Sequence, residues 1–179
     1  MKTLILFSSS EIGGAEKSLS RLALAGNRDE FLLGSLTGNG SLLNNKLKSK
    51  VKIYKFGYNK ISLFNLVFSC FKVIQFSQKT NIKNLYICGF RACTIIRLMS
   101  LFIRTPKIFH AIRWNPISNN LTDKVFRLME KFFINLTEAW ICNSNSASQT
   151  LIKNCSIPLN KIHVVYNGIK KNKVLIKEL

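Results

Sequence analysis

Short apolar runs alternate with stretches of helical spacing from one end of this chain to the other, and that alternation constrains the fold more than any other feature. Leu4-Ile5-Leu6-Phe7, led in by Thr3, is apolar at successive positions, as a strand buried on both faces must be. Residues 15–25 follow with Leu19, Leu22 and Ala23 at helical spacing, and 31–36 is a second strand closed by Thr37-Gly38-Asn39-Gly40. A short helix at 41–48 leads to a strand at 51–56, then a helix at 63–77 with Leu63, Leu66, Val67, Cys70, Phe71 and Ile74 on a wide apolar face. Strands at 84–88, 107–112, 140–142 and 162–166 are separated by helices at 91–102, 123–136 and 144–155. On the helix at 123–136, Val125, Leu128, Met129, Phe132 and Leu136 share one side, which is expected to face inward. The pattern predicts βαβ units in a single doubly wound α/β domain, with a mostly parallel sheet of six or seven strands covered by helices on both faces. Leu4, Leu6, Ile87, Ile108 and Val164 are expected to be among its most buried residues. Ligands of such sheets bind outside the carboxyl ends of the strands.

The 179 residues suit one domain with a full core. Lys and Arg number 27 against 8 Asp and Glu, a formal charge of +19 that attracts nucleic acid, an anionic bilayer or phosphorylated ligands. The lysines are scattered, however, and no basic helix, zinc finger or aromatic RNA-reading strand is present, so no specific nucleic-acid partner is expected. Five cysteines without CxxC spacing and two histidines exclude a zinc ribbon or finger, and no metal or cofactor is expected; buried, reduced thiols are. The longest apolar stretch, 61–71, is bracketed by Lys60 and Lys72, well short of the roughly 20 residues a spanning helix needs. Met1-Lys2 runs straight into the first strand. These features lead to the expectation of a cytoplasmic protein, at most peripheral on the inner face of the plasma membrane. Residues 1–169 are expected to form the domain, and 170–179, with four Lys and one Glu, a basic stub.

Gly13-Gly14-Ala15-Glu16 joins the first strand to the first helix. Paired glycines admit a ligand close to the backbone, and a helix N-terminus offers free N–H groups, a combination suited to phosphate. The spacing is that of neither a P-loop nor a dinucleotide fingerprint. Glu16 also complements the helix dipole, whether or not it touches a ligand. His110-Ala111-Ile112-Arg113 runs through the carboxyl end of the fifth strand, where His110 and Arg113 are expected to share a rim able to hold an anion or a sugar hydroxyl. Asn143-Ser144 follows the sixth strand and either lines the same rim or caps the next helix. A paired-carboxylate site, a GxSxG elbow and a Cys–His pair are all missing.

Gly13-Gly14-Ala15-Glu16 before a Leu-rich helix resembles the opening loop of the family-4-like glycosyltransferases of GT-B fold. Trp140-Ile141-Cys142-Asn143-Ser144 and Lys161-Ile162-His163-Val164-Val165-Tyr166-Asn167-Gly168-Ile169 are similar to the motifs that close that family's N-terminal domain, in the family's order. The resemblance implies a Rossmann-like, acceptor-side half of a GT-B enzyme of hexosyltransferase type. It implies transfer of a sugar, with retention and without a required metal, from a nucleotide-sugar donor to a cell-surface polysaccharide or lipid-linked glycan. It further implies that Gly13 and Gly14 lie near the donor phosphates, that His110 faces the reacting sugar, and that Asn167-Gly168 marks the passage to a donor domain. The donor domain's residues that hold the nucleotide do not occur, so the chain alone is expected to be inactive. The alternative is a non-catalytic, basic, membrane-peripheral interaction module on the same fold, drawn to an anionic membrane surface.

Overall fold

The computed structural model describes residues 1–8, 14–25, 30–37, 53–58, 62–114 and 120–167; at 15, 16 and 25 it describes the backbone alone. The helix expected at 41–48, the Gly38-Asn39-Gly40 turn, Gly13, Gly168 and the 170–179 stub lie outside the described residues. In chain order the elements are β1 (Thr3–Phe7), α1 (Gly14–Ala25), β2 (Phe31–Ser35), β3 (Ile53–Lys55), α2 (Leu63–Lys79), β4 (Asn84–Cys88), α3 (Phe90–Ser100), β5 (Lys107–Ile112), α4 (Leu121–Phe132), β6 (Ala139–Cys142), α5 (Asn145–Cys155) and β7 (Ile162–Val164). The seven strands form one sheet in the order β3-β2-β1-β4-β5-β6-β7. Every pairing is parallel.

Strand alternation divides the core in two. Leu4, Leu6, Leu85, Ile87 and Ile108 face one way and pack on Cys70 and Val73 of α2 and Ala92, Cys93 and Ile96 of α3. Ile5, Phe7 and Leu33 face the other way, onto Leu19 and Ala23 of α1. Helix starts follow local polar chemistry: Ser62 Oγ accepts from Asn65 N–H and Asn120 Oδ1 from Asp123 N–H, satisfying donors that the first turn leaves free.

Strand order reverses at β1, with β2 on one side and β4 on the other. Such a switch point opens a crevice at the carboxyl ends of the two strands. Here Ser8 follows β1 and Gly89, the N-cap of α3, follows β4. Gly89 has φ 135°, and a Cβ on it would lie 2.1 Å from Ser8 Oγ. The crevice is this narrow because the residue is glycine.

Two expectations need correction. Val164 is only half-buried, because β7 is an edge strand with a neighbour on one side alone. Helix α4 turns the other way round: Asp123, Phe126 and Glu130 are buried, continued by Phe133, while Val125, Leu128 and Phe132 are exposed. The inward arc carries a carboxylate because three other elements supply its partners, as described next.

Candidate functional site

The carboxyl rim on the α1 side collects side chains from five stretches of the chain. Arg113 stands one residue beyond β5 and donates from Nη2 to Tyr86 Oη on β4 at 2.9 Å and from Nη1 to Asn167 Oδ1 at 2.9 Å. The same Asn167 oxygen accepts from Ser18 Oγ on the first turns of α1, also at 2.9 Å. Asn143 Nδ2 reaches the Arg113 carbonyl at 3.5 Å. Asn167 thus ties α1 to the arginine, and stretches far apart in sequence meet at one edge. Gly14 opens α1 there; it is exposed, and a Cβ on it would meet nothing within 4 Å.

The guanidinium is held by two neutral oxygens and keeps its positive charge unspent in those bonds. Its field reaches the neighbouring groups. Burial raises Tyr86 above the usual phenol value and pushes the Cys142 thiol up to about 11, and in both cases Arg113 pulls the other way. Arg113 is linked to α1 through Asn167 and Ser18, and an arginine and a helix N-terminus are each groups that attract an anion.

Across the switch point a cleft of about 380 Å³ is lined by Ser8, Thr37, Asn65, Phe90, Arg91 and Thr122, among others. Leu36, Leu66, Tyr58 and Phe90 make most of the lining apolar, and the hydroxyls, amide and guanidinium set into it suit a ligand that has both apolar faces and hydroxyls. A larger hollow of about 460 Å³, bordered by Lys83, Arg104 and Lys107, lies at the amino ends of the strands, away from the crevice that this sheet order creates.

His110 does not join Arg113 on the rim. Residues three apart on a strand point to opposite faces, so His110 turns toward α3 and α4 while Arg113 turns toward α1. The imidazole is 0% exposed, with Nδ1 3.1 Å from Glu130 Oε1. Glu130 also accepts two bonds from Arg97, at 2.7 and 3.0 Å, and a third from Trp140 Nε1. Burial disfavours charge on His110, but Cys93 and Glu130 beside the ring outweigh it and raise its pKa to about 9. Burial likewise opposes the Glu130 carboxylate, and His110 and Arg97 hold it well below the usual carboxylate range. A ring so enclosed cannot touch a sugar in this conformation, and the expectation that it faces one is corrected: it clamps β5 and β6 to α3 and α4.

Ser144 accepts from Ala147 N–H at 3.2 Å as the N-cap of α5, so its hydroxyl serves the helix, whereas Asn143 stays on the rim. Gly13 and the Glu16 side chain lie outside the described residues. Tyr86, Ser18 and Arg91 are site residues that sequence reasoning missed; each is an ordinary polar residue until the sheet order brings it to the rim. Arg97 and Glu130 had a signal, a charge of either sign set among apolar residues at helical spacing, and each makes sense only with the other.

Residues 12–173 match the family model of Glycosyltransferase Family 4. Among solved structures, the chain is similar to Anabaena HepE in complex with UDP and glucose, with a TM-score of 0.73 and 21% identity over 95% of this chain and 45% of that one. It is similar to the lipopolysaccharide outer core galactosyltransferase WaaB, with a TM-score of 0.67 and 15% identity over 97% and 48%. UDP-GlcNAc 2-epimerase from Neisseria meningitidis bound to UDP-GlcNAc gives a TM-score of 0.65 and 16% identity over 93% and 46%. The chain therefore spans just under half the length of these structures, as one Rossmann-like half of a GT-B fold. A search of curated protein sequences finds no significant match.

Proposed function

The chain belongs to Glycosyltransferase Family 4, and from that premise we propose that it is the N-terminal, acceptor-side half of a retaining glycosyltransferase. The enzyme takes a sugar from a nucleotide-sugar donor and passes it to a surface-polysaccharide or lipid-linked glycan acceptor. The observation that carries this is the convergence of Gly14, Ser18, Arg113 and Asn167 on one rim beside the switch-point cleft. HepE, with UDP and glucose bound, and the UDP-GlcNAc-bound epimerase lend the donor class its support. The backbone N–H groups that open α1, together with Arg113, face the donor phosphates and offset the charge that builds on the departing nucleotide. Ser8, Asn65 and Arg91 orient acceptor hydroxyls in the cleft. His110 and Glu130 are positioning residues that keep β5, and with it Arg113, in place.

Transfer needs donor and acceptor held between two walls. These 179 residues alone should release no nucleotide from a panel of nucleotide sugars, and release should appear once a donor-binding half is joined or added to them with acceptor. Robust release by the chain alone, or none from the mixture, argues against the reading. A second measurement isolates the arginine. Arg113→Ala should weaken inorganic pyrophosphate binding about tenfold or more, since a charge-assisted contact is lost, and leave glucose binding within about twofold. Equal losses for both ligands would remove Arg113 from the phosphate site.

A further inference from the structure

A parallel sheet brings the first residue of every strand to one edge, and in this chain that edge is cationic. Lys2 precedes β1, Lys83 precedes β4, Lys107 opens β5, Glu138 precedes β6 and Lys161 precedes β7. Backbone bonds lock the central entries side by side: Lys83 N–H donates to the Lys2 carbonyl at 3.0 Å and Lys107 N–H to the Lys83 carbonyl at 2.9 Å. Adjacent strands lie about 4.8 Å apart, so the entries form a row. Two hollows, of about 460 and 370 Å³, border this row and share Arg104, Thr105, Pro106 and Lys107. Gln78 Nε2 donates to the Arg104 carbonyl at 2.8 Å and holds that shared ridge against the end of α2.

The positive charge here is poorly offset. Among the described residues Glu138 is the one carboxylate lining either hollow, and it pairs with Lys107 at 2.7 Å. Lys161 donates to the Ile134 and Thr137 carbonyls at 2.9 and 3.0 Å, neutral acceptors that leave its charge intact. Lys83 and Arg104 are exposed, and among the described residues neither forms an ion pair. Asn81, Thr105 and Asn135 set amides and a hydroxyl between the cations, and no aromatic ring lines either hollow among the described residues.

We infer that the two hollows bind an anionic glycan chain, at the end of the sheet opposite the switch-point cleft. The Arg104 fork and the Lys83 ammonium pair with its carboxylates, and the amides and hydroxyl exchange hydrogen bonds with its sugar hydroxyls. The lining selects this occupant over a nucleic-acid strand, whose bases stack on aromatic side chains that these hollows lack. It also selects it over an acidic peptide, which adds as a strand along a sheet edge, whereas the strands meet this face end-on. Strand β5 has six residues, so the row lies about 20 Å from the carboxyl rim. A polymer held there keeps its end near the cleft at a raised effective concentration. That role rests on the proposed transferase activity, whereas the binding itself does not.

The test is calorimetric titration of the full chain, at physiological ionic strength, with hexagalacturonate, hexaglutamate, a thymidylate hexamer and neutral maltohexaose. A +19 protein attracts any polyanion, so the deciding comparison holds charge constant. Lys83→Gln with Arg104→Gln should weaken hexagalacturonate binding about tenfold or more. Lys55→Gln with Lys124→Gln removes the same charge at the carboxyl end of the sheet and should stay within about twofold of the wild type. All four side chains are exposed, so the circular dichroism spectra should be unchanged. Hexagalacturonate should also bind more tightly than each of the other three ligands. Equal losses in the two paired variants, or another ligand bound as tightly as hexagalacturonate, overturns the inference. Glycan binding without sugar transfer by the joined halves sinks the transferase reading and leaves this site intact; transfer without such binding does the reverse.

Discussion

Glu130→Ala should cost about 3–5 kcal/mol of folding stability, because it strands Arg97 and His110 as buried cations without the carboxylate that both pair with. In a domain of this size that lowers the thermal midpoint by about 10 °C or more. Urea and thermal denaturation of the two proteins measure it, and a loss below about 1 kcal/mol would mean that the network is solvated after all. Glu130→Gln keeps the shape and tests the charge through pH. His110 is raised from 6.5 to about 9, so its contribution is complete below pH 6.5 and fades as pH climbs through about 9. Glu130 is lowered from 4.5, so its contribution is complete above pH 4.5 and is lost as pH falls beneath it. The wild type should therefore be most favoured over the glutamine variant between pH 4.5 and 6.5, with the difference shrinking on either side.

Gly89→Ala should be nearly as damaging, at about 2–4 kcal/mol, from two separable causes. The new Cβ lies 2.1 Å from Ser8 Oγ and 2.5 Å from Ser8 Cβ, and φ 135° is a conformation that a side chain rarely adopts. Adding Ser8→Gly removes the overlap and leaves the backbone strain, so the double variant should recover part of the loss and not all of it. Full recovery would show that φ carries no penalty here, and no recovery that the overlap relaxes freely. Denaturant midpoints of the three variants decide between these outcomes. Because Ser8 and Gly89 form the switch point, the same substitution should also narrow the cleft that Ser8 lines.

Much of this protein can be derived from local chemistry alone. Runs such as Leu4-Ile5-Leu6-Phe7 are apolar at every position, which suits only a strand covered on both sides, and their alternation with helices leaves parallel pairing as the solution. Gly14 and Arg113 could be marked for the rim for a related reason, since each lies in the connection that leaves the carboxyl end of a strand. The membership of the site and the orientation of α4 were beyond local chemistry. Helix α4 carries apolar side chains on two arcs, Val125, Leu128 and Phe132 on one and Phe126 and Phe133 on the other, and periodicity favours the larger set. Tertiary structure reverses the choice because Arg97, His110 and Trp140, from α3, β5 and β6, together satisfy one buried carboxylate that none could satisfy alone. That same carboxylate holds the His110 ring, which strand alternation already turns away from Arg113, and its inward place leaves Leu128 and Phe132 on the surface. Partners separated by tens of residues settle such questions, since the energy of a buried charge depends on what the fold brings beside it and not on its neighbours along the chain.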